Sequence, residues 1–213
     1  MDSNLEKYIL NHISEEDKVL KKLARDTNVN IYHPRQVSGH LQGKILEMLS
    51  KMIKPNLILE LGTFTGYSAI CLAKGLSEKG ELHTIEINDE LEGFINRYIK
   101  LSGFDSKINL HIGDAINIIP AIDMQFDMVF IDANKSKYLE YYKLVFDKVR
   151  VGGYIIADNV IWDGKILDNE IKSNDYFTKG IIEFNEFIKN DKRVEKVIFP
   201  IRDGMMVIRK MGS

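Results

Sequence analysis

From Leu57 onward, short apolar runs alternate with amphipathic segments of helical length, and this alternation limits the folds open to the chain. The apolar runs predict strands at 57–61, 81–87, 108–112, 126–132 and 153–158. The segments between them predict helices near 67–77, 89–102, 114–119 and 136–148. Strands that are apolar along their whole length, with helices connecting them, indicate a parallel sheet covered on both faces. We therefore predict an α/β fold.

The first 54 residues predict helices. Ser14 precedes three acids, a pattern typical of a helix start. Ser38 begins a second helix, which ends before Pro55. The apolar residues of this helix recur at helical spacing at Leu41, Ile45, Leu49 and Met52.

The end of the chain predicts a hairpin. A helix around 175–190 leads to two apolar runs, at 194–200 and 205–210. The turn signal Arg202-Asp203-Gly204 joins these two runs. We therefore expect an antiparallel hairpin at one edge of the sheet.

Composition indicates a globular protein of a reducing compartment. Of the 213 residues, 45% are hydrophobic and 28% are charged, which excludes a disordered chain. No linker interrupts the sequence, so we predict a single domain over 1–213, with helices in 1–54 and an α/β core in 55–213. The net charge of −2 attracts neither nucleic acid nor an acidic membrane. With Cys71 as the only cysteine, no signal peptide and no membrane span, we expect a cytoplasmic location.

The segment after the first predicted strand reads ELGTFTGYS from Glu60 to Ser68. Gly62 and Gly66 allow a tight turn and a close approach of the backbone to a ligand. Ser68 and the N–H groups of the next helix suit a carboxylate or a phosphate. A strand-to-helix turn whose glycines serve only steric needs remains the alternative.

Two acids follow the next two strands and complete a predicted nucleoside pocket. Glu86 lies 20 residues after Gly66, an offset at which an acid accepts hydrogen bonds from both hydroxyls of a ribose. Asp114 is placed to accept from an adenine amino group, with a helix N-cap as the alternative role. Phe64 stands where a dinucleotide-binding turn has its second glycine, which disfavours a nicotinamide cofactor. A cofactor without pyrophosphate, S-adenosylmethionine, fits better.

The ends of the fourth and fifth strands predict the reactive groups. Asp132, Asp158 and Asn159 offer hard oxygen ligands, which suit Mg²⁺, Mn²⁺ or Ca²⁺. Each of them alone is explained as an ordinary turn residue, but three at neighbouring strand ends favour a metal site. Lys135 follows Asp132 closely, and repulsion from a cation can lower the pKa of a lysine enough to make it a base. Trp162 is predicted either to stack on a planar substrate or to pack in the core.

Three stretches of this sequence resemble the small, cation-dependent O-methyltransferases that include the caffeoyl-CoA and catechol enzymes. They are ELGTFTGYSAICLA, FIDANKSKY and ADNVIWDG, and the similarity runs from Tyr32 to Met211. The resemblance implies a Rossmann-like class I methyltransferase fold, with a mostly parallel seven-stranded sheet, one antiparallel edge strand and extra N-terminal helices. It also implies a homodimer.

The resemblance implies a role for each matching residue. The residues that would hold S-adenosylmethionine are Val37, Glu60, Gly62, Thr63, Ser68, Glu86, Asp114, Ala115 and Asp132. The metal ligands would be Asp132, Asp158 and Asn159, the base Lys135, and the substrate-side residues Trp162 and Asp163. Two residues differ from the family pattern: Asp163 stands where plant members have Asn, and Arg202 where many relatives have Gly.

We therefore expect methyl transfer from S-adenosylmethionine to a hydroxyl of a metal-chelating small molecule, such as a catechol or a caffeoyl derivative. The first alternative is 5-hydroxyuridine of transfer RNA, which some bacterial relatives of similar sequence methylate. A local basic patch would serve that role, and its candidates are Arg25, Arg35, Lys44, Lys51 and Lys54. The second alternative is a non-catalytic module that binds an adenosyl group.

Overall fold

The computed structural model describes residues 3–32, 34–168 and 170–212, without the side chains of Ser3 and Arg35. The helices are α1 (Ser3–His12), α2 (Lys18–Asn30), α3 (Gly39–Ile53), α4 (Tyr67–Ala73), α5 (Glu92–Ser102), α6 (Ala115–Ala121), α7 (Tyr138–Phe146) and α8 (Tyr176–Asn190). The strands are β1 (Leu57–Leu61), β2 (Glu81–Glu86), β3 (Ile108–Ile112), β4 (Phe126–Ile131), β5 (Val149–Asp158), β6 (Val194–Phe199) and β7 (Met205–Lys210). Short 3-10 helices cover Pro34–Gln36, Asp89–Leu91, Lys135–Lys137 and Trp162–Leu167.

The seven strands form one sheet in the order β3-β2-β1-β4-β5-β7-β6. Strands β1 to β5 pair in parallel, whereas β7 pairs antiparallel with both β5 and β6. This confirms the predicted α/β fold, its mostly parallel seven-stranded sheet and the hairpin at one edge. The reversed strand is β7, and it lies one position inside the edge because β6 is outermost. The strand order changes direction between β1 and β4, which is where open α/β sheets bind ligands.

Two strands end one residue earlier than predicted, and one begins earlier. β2 ends at Glu86 and β4 at Ile131, so Asp132 belongs to the loop that follows β4. β5 begins at Val149, where it pairs with Phe126 through an irregular register. The single-domain division at residue 54 stays a prediction.

The start of α2 was predicted wrongly. Ser14 lies in the loop before the helix, and the N-cap is Asp17, whose carboxylate accepts a hydrogen bond from the Val19 backbone N–H at 2.8 Å. Ser14 instead accepts a hydrogen bond at its backbone oxygen from Nε2 of His40. The acid nearest the apolar run therefore caps the helix, because only its side chain reaches an unpaired N–H of the first turn.

Helix α3 begins after Ser38 as predicted, but its most buried face is not its apolar series. The fully buried positions are Gln42, Gly43, Leu46, Glu47 and Ser50, while Met52 is 75% exposed. The helix packs so tightly on α4 that a Cβ atom on Gly43 would lie 2.5 Å from the ring of Tyr67. Ile45 and Leu49 lie at the margin of this contact and are partly buried.

Apolar side chains cover both faces of the sheet. Helices α6, α7 and α8 pack on one face, and α2, α3, α4 and α5 pack on the other. Helix α4 ends at Ala73 rather than near 77, and Gly75 then passes against the backbone of Ser50. No helix in the described part of the chain has the length and apolar character that a membrane span requires.

Candidate active site

A cavity of about 560 Å³ opens at the carboxyl ends of the parallel strands. The predicted site residues that line it are Val37, Gly62, Thr63, Ser68, Glu86, Asp114, Ala115, Asp132, Lys135, Asp158, Asn159 and Trp162. We call the part formed by the loops after β1, β2 and β3 the cofactor end. The acceptor end is formed by the loops after β4 and β5, the start of α3, the turn between β6 and β7, and the segment 162–177.

Glu60 and Asp163 were also predicted site residues, but neither lines the cavity. Glu60 is completely buried beneath the loop after β1. Asp163 is exposed, has a left-handed backbone with φ 53°, and donates its backbone N–H to Asp203. The structure therefore places Asp163 beside the cavity wall rather than in it.

The loop after β1 needs its first glycine. Gly62 has φ +94°, and a Cβ atom there would lie 2.2 Å from the backbone oxygen of Asp132. Phe64 also adopts a left-handed conformation, with φ 49°, although it is not a glycine. Its backbone N–H donates to Oε2 of Glu86 at 2.7 Å, so the end of β2 helps to hold this loop in place.

Two acids line the cofactor end and are fixed by backbone N–H groups. Glu86 accepts at Oε1 from the N–H of Asn88 at 2.9 Å, in addition to its bond from Phe64. Asp114 is the N-cap of α6, and its bond from the N–H of Ile116 lowers its pKa. Nζ of Lys137 lies 3.3 Å from Oδ2 of Asp114, and Lys137 also lines the cavity.

Glu60 has a buried oxygen without a partner. Its Oε2 accepts from the Thr84 hydroxyl at 2.5 Å, while Oε1 has no hydrogen bond among the described residues. Burial raises the pKa of Glu60 to about 8. An ionised carboxylate in this position requires a positively charged or hydrogen-bonding ligand, since a buried charge without a partner is unstable.

At the acceptor end, Lys135 contacts both the other predicted catalytic residue, Asp132, and the buried Tyr138. Its Nζ donates to Oδ1 of Asp132 at 2.6 Å and to the Tyr138 hydroxyl at 2.7 Å. The Tyr138 hydroxyl also lies 3.2 Å from the backbone oxygen of Ile131 and 3.1 Å from that of Asp158. One tyrosine thus connects the ends of β4 and β5 and fixes Lys135 between them.

Asp158 is the buried carboxylate of this end, with 4% of its surface exposed. Nε2 of Gln42 donates to its Oδ2 at 2.6 Å, and Oε1 of Gln42 accepts from Nη1 of Arg202 at 2.5 Å. Burial, followed by the charge of Asp132, raises the pKa of Asp158 to about 7. A bound cation would stabilise the ionised form of this buried carboxylate.

The remaining acceptor-end residues are one amide and two aromatic rings. Asn159 has φ 58° and lines the cavity, and its side chain forms no hydrogen bond within the described part of the chain. Trp162 and Phe177 meet edge to face, with ring centroids 6.3 Å apart. Trp162 therefore lines the cavity and also packs against a second ring, while its stacking on a planar substrate stays a prediction.

Gln42 and Tyr138 are site residues that the sequence did not predict. Gln42 is a buried polar residue on α3, 116 residues before the Asp158 that it contacts, and no local pattern connects the two. Tyr138 stands at the end of the FIDANKSKY stretch, three residues after Lys135, but its complete burial is a tertiary feature. No three His, Cys, Asp or Glu side chains of the described residues form a metal-binding cluster, and the predicted set contains only two carboxylates.

Fold and cavity together define a class I methyltransferase. The family model for O-methyltransferases matches residues 10–211. The catechol O-methyltransferase of Niastella koreensis is 37% identical, over 74% of this chain and 72% of that protein. The caffeoyl-CoA O-methyltransferase of Stellaria longipes is 29% identical, over 97% of this chain and 90% of that protein. The chain therefore belongs to the O-methyltransferase family.

Solved structures agree with this assignment. The O-methyltransferase TomG of Streptomyces achromogenes, solved with SAM, is 28% identical, with a TM-score of 0.91 and coverage of 98% of this chain and 96% of that one. An O-methyltransferase of Bacillus cereus, solved with SAH, is also 28% identical, with a TM-score of 0.89 and coverage of 97% of both chains. The protein is thus an O-methyltransferase in sequence and in fold.

Proposed function

We propose that this enzyme transfers the methyl group of S-adenosylmethionine to one hydroxyl of a small diol that chelates a divalent cation, with a catechol as the simplest example. The observation that carries the proposal is the meeting of Lys135, Asp132 and the buried Asp158 at one end of a cavity. The other end of that cavity carries the acids suited to a nucleoside.

The cofactor end fits the polar groups of S-adenosylmethionine. Glu60 does not line the cavity, but its unpartnered Oε1 lies beneath the loop after β1, where the positive charge of the cofactor's amino group would stabilise the ionised carboxylate. Ser68 and the loop at Gly62 and Thr63 would bind its carboxylate, with help from the backbone near Val37. Glu86 would accept from the ribose hydroxyls, and Asp114 with Ala115 would contact the adenine.

The acceptor end fits a hard divalent cation, with Mg²⁺ favoured over Mn²⁺ and Ca²⁺. Asp132, Asp158 and Asn159 would hold it through oxygen atoms, the donors that these ions prefer. A divalent cation supplies Lewis acidity, which lowers the pKa of the hydroxyl that it contacts.

The Nζ amine of Lys135 would take the proton from the hydroxyl of the acceptor. Asp132 and Tyr138 fix that atom at the cavity wall, so the general base is in position before the acceptor arrives. As the C–O bond forms and the C–S bond of the sulfonium breaks, the proton of the hydroxyl passes to Lys135. Trp162 and Phe177 would hold the plane of the acceptor ring.

Compartment and assembly belong to the same proposal. We place the enzyme in the cytoplasm, since Cys71 is its only cysteine and is buried, and burial raises the pKa of its thiol. We also propose a homodimer, which the exposed Met48 and Met52 on the outer side of α3 support. Light scattering at micromolar concentration would test the dimer, and a monomer would contradict it.

The positions of the basic residues do not specifically support transfer RNA as the substrate. Arg25, Lys44, Lys51 and Lys54 do not line the cavity, and both Lys44 and Lys51 bind the carboxylate of Glu47. Arg35 does not decide the matter, because its side chain lies outside the described residues. Transfer RNA is therefore one of the substrates compared in the experiment.

The deciding experiment measures methyl transfer by the purified protein with S-adenosylmethionine and Mg²⁺, with and without a chelator. Catechol, a caffeoyl ester and undermodified transfer RNA are offered in parallel. We expect methylation of the diols that stops when the chelator is added. Methylation of RNA alone would show that the proposed substrate is wrong. Methylation that persists with the chelator would exclude the metal from the proposed mechanism. Cofactor binding without turnover would favour the non-catalytic module.

A further inference from the structure

Arg202 brings a positive charge into the acceptor end from a distant part of the chain. It lies in the turn between β6 and β7, lines the cavity and has a left-handed backbone with φ 51°. A glycine would adopt that backbone without strain, so the turn itself does not require an arginine. The side chain therefore needs a different explanation.

Arg202 is an exposed residue, and its hydrogen bonds to the protein are made to neutral groups. Nη1 donates to the backbone oxygen of Ser38 and to Oε1 of Gln42, and both acceptors are neutral. Arg202 forms no ion pair with any residue that the structure describes. The N–H groups on Nε and Nη2 likewise have no acceptor within the described ranges.

The carboxylates at this end are already engaged. Asp132 binds Lys135, and Asp158 accepts from Gln42. Asp203, the next residue along the turn, accepts from the backbone N–H of Asp163. None of them forms an ion pair with the guanidinium group, so its remaining N–H groups are available to an anionic ligand.

The position of the guanidinium group limits where that anion can be. Only the amide group of Gln42 separates Nη1 of Arg202 from the carboxylate of Asp158. An acceptor whose hydroxyls lie near Asp158 would thus present Arg202 with a ring substituent or a short side chain. A long extension of the acceptor would reach beyond the guanidinium group of Arg202.

We propose that Arg202 is a specificity-determining residue, and that the acceptor is a catechol with a carboxylate on its ring or on a short side chain. The Nε and Nη2 edge of Arg202 binds that carboxylate through two parallel hydrogen bonds, the geometry that distinguishes arginine from lysine. This inference rests on the proposed methylation of a diol.

The test compares 3,4-dihydroxybenzoate with 3,4-dihydroxybenzamide, which share the diol and differ in charge. We expect the wild-type kcat/KM to be at least about tenfold higher for the acid, mainly through KM, as the loss of a charged hydrogen bond implies. Arg202→Gln should bring the ratio close to one, and Arg202→Lys should keep an intermediate ratio. Arg209→Gln is the matched control, since Arg209 pairs with Glu195 on the outer strands.

Equal losses for the acid and the amide in Arg202→Gln would overturn the inference, because Arg202 would then only position Gln42. So would a wild-type ratio near one. The coenzyme A thioester of a dihydroxycinnamate forms a third arm. A dependence on Arg202 seen with the thioester alone would indicate that Arg202 binds a phosphate of coenzyme A, and it would contradict the proposed binding of a carboxylate.

A binding measurement separates this inference from the proposed function. Calorimetry with S-adenosylhomocysteine and Mg²⁺ gives the dissociation constants of the acid and the amide without any turnover. Tighter binding of the acid, lost in Arg202→Gln, supports the inference even if no diol is methylated. Equal binding overturns it even if methylation proceeds.

Discussion

At the cofactor end, the functional groups come from loops after β1, β2 and β3, whereas at the acceptor end they come from segments far apart in the chain. Glu86 contacts Phe64, 22 residues away, but Gln42 contacts Asp158, 116 residues away, and Arg202 contacts Ser38, 164 residues away. The cofactor end is therefore built from neighbouring βα units, and the acceptor end depends on how the whole chain packs. Substitutions at the two ends should affect different measured quantities.

The largest effect is expected for Lys135→Ala. Loss of a general base should lower kcat by about 10²- to 10⁴-fold, while the dissociation constant of S-adenosylmethionine changes less than about threefold. Single-turnover rates and equilibrium binding measure the two quantities. Lys189→Ala is the control, because Lys189 is exposed and pairs with Glu186 on the same helix. Turnover at the wild-type rate would exclude Lys135 as the base.

Gln42→Met should act on the cation. The side chain keeps its length but loses the hydrogen bond to Asp158, so the Mg²⁺ concentration for half-maximal activity should rise about 10- to 100-fold. Cofactor affinity should stay as in the wild type. Gln125→Met makes the same change at an exposed residue away from the cavity. If the Mg²⁺ dependence does not move, Gln42 does not support the proposed metal site.

Glu86→Gln should act only at the cofactor end. Losing one acceptor and the charge should weaken binding of S-adenosylmethionine about tenfold, with the KM of the acceptor little changed. Isothermal calorimetry measures the first and steady-state kinetics the second. Glu90→Gln, at an exposed position after the same strand, is the control. A shift in the acceptor KM alone would contradict the separate roles of the two ends.

The smallest effect is a pH dependence that originates at Glu60. With its pKa raised to about 8, Glu60 is protonated at pH 7 in the free enzyme, and a cationic amino group favours its ionised form. Cofactor binding at pH 7 should therefore release a proton, and affinity should rise about fivefold between pH 7 and pH 8. Calorimetry in buffers of different ionisation enthalpy measures the release. Glu60→Gln should abolish it, and a release that persists in this variant assigns it to another group.

Local sequence patterns carry more information about the cofactor end than about the acceptor end, for a physical reason. Glycines, strand-end acids and helix caps act within one βα unit, so their spacing carries the information. The buried face of α3 was not evident, because Leu41, Ile45, Leu49 and Met52 suggest a different one. Glu47 is buried there only because Lys44 and Lys51 neutralise it, and Ser50 because it donates to the backbone oxygen of Leu72. Such compensation depends on packing that local patterns do not reveal.

The sheet order also has a consequence for how the enzyme is made. Strand β7 follows the other six described strands along the chain, yet it lies between β5 and β6 in the sheet and pairs Met205 with Asp158. The five parallel strands and the loops of the cofactor end are all translated before it. The acceptor end is thus completed after the cofactor end during synthesis, and a chain that stops before residue 205 lacks β7, the strand that follows the turn of Arg202.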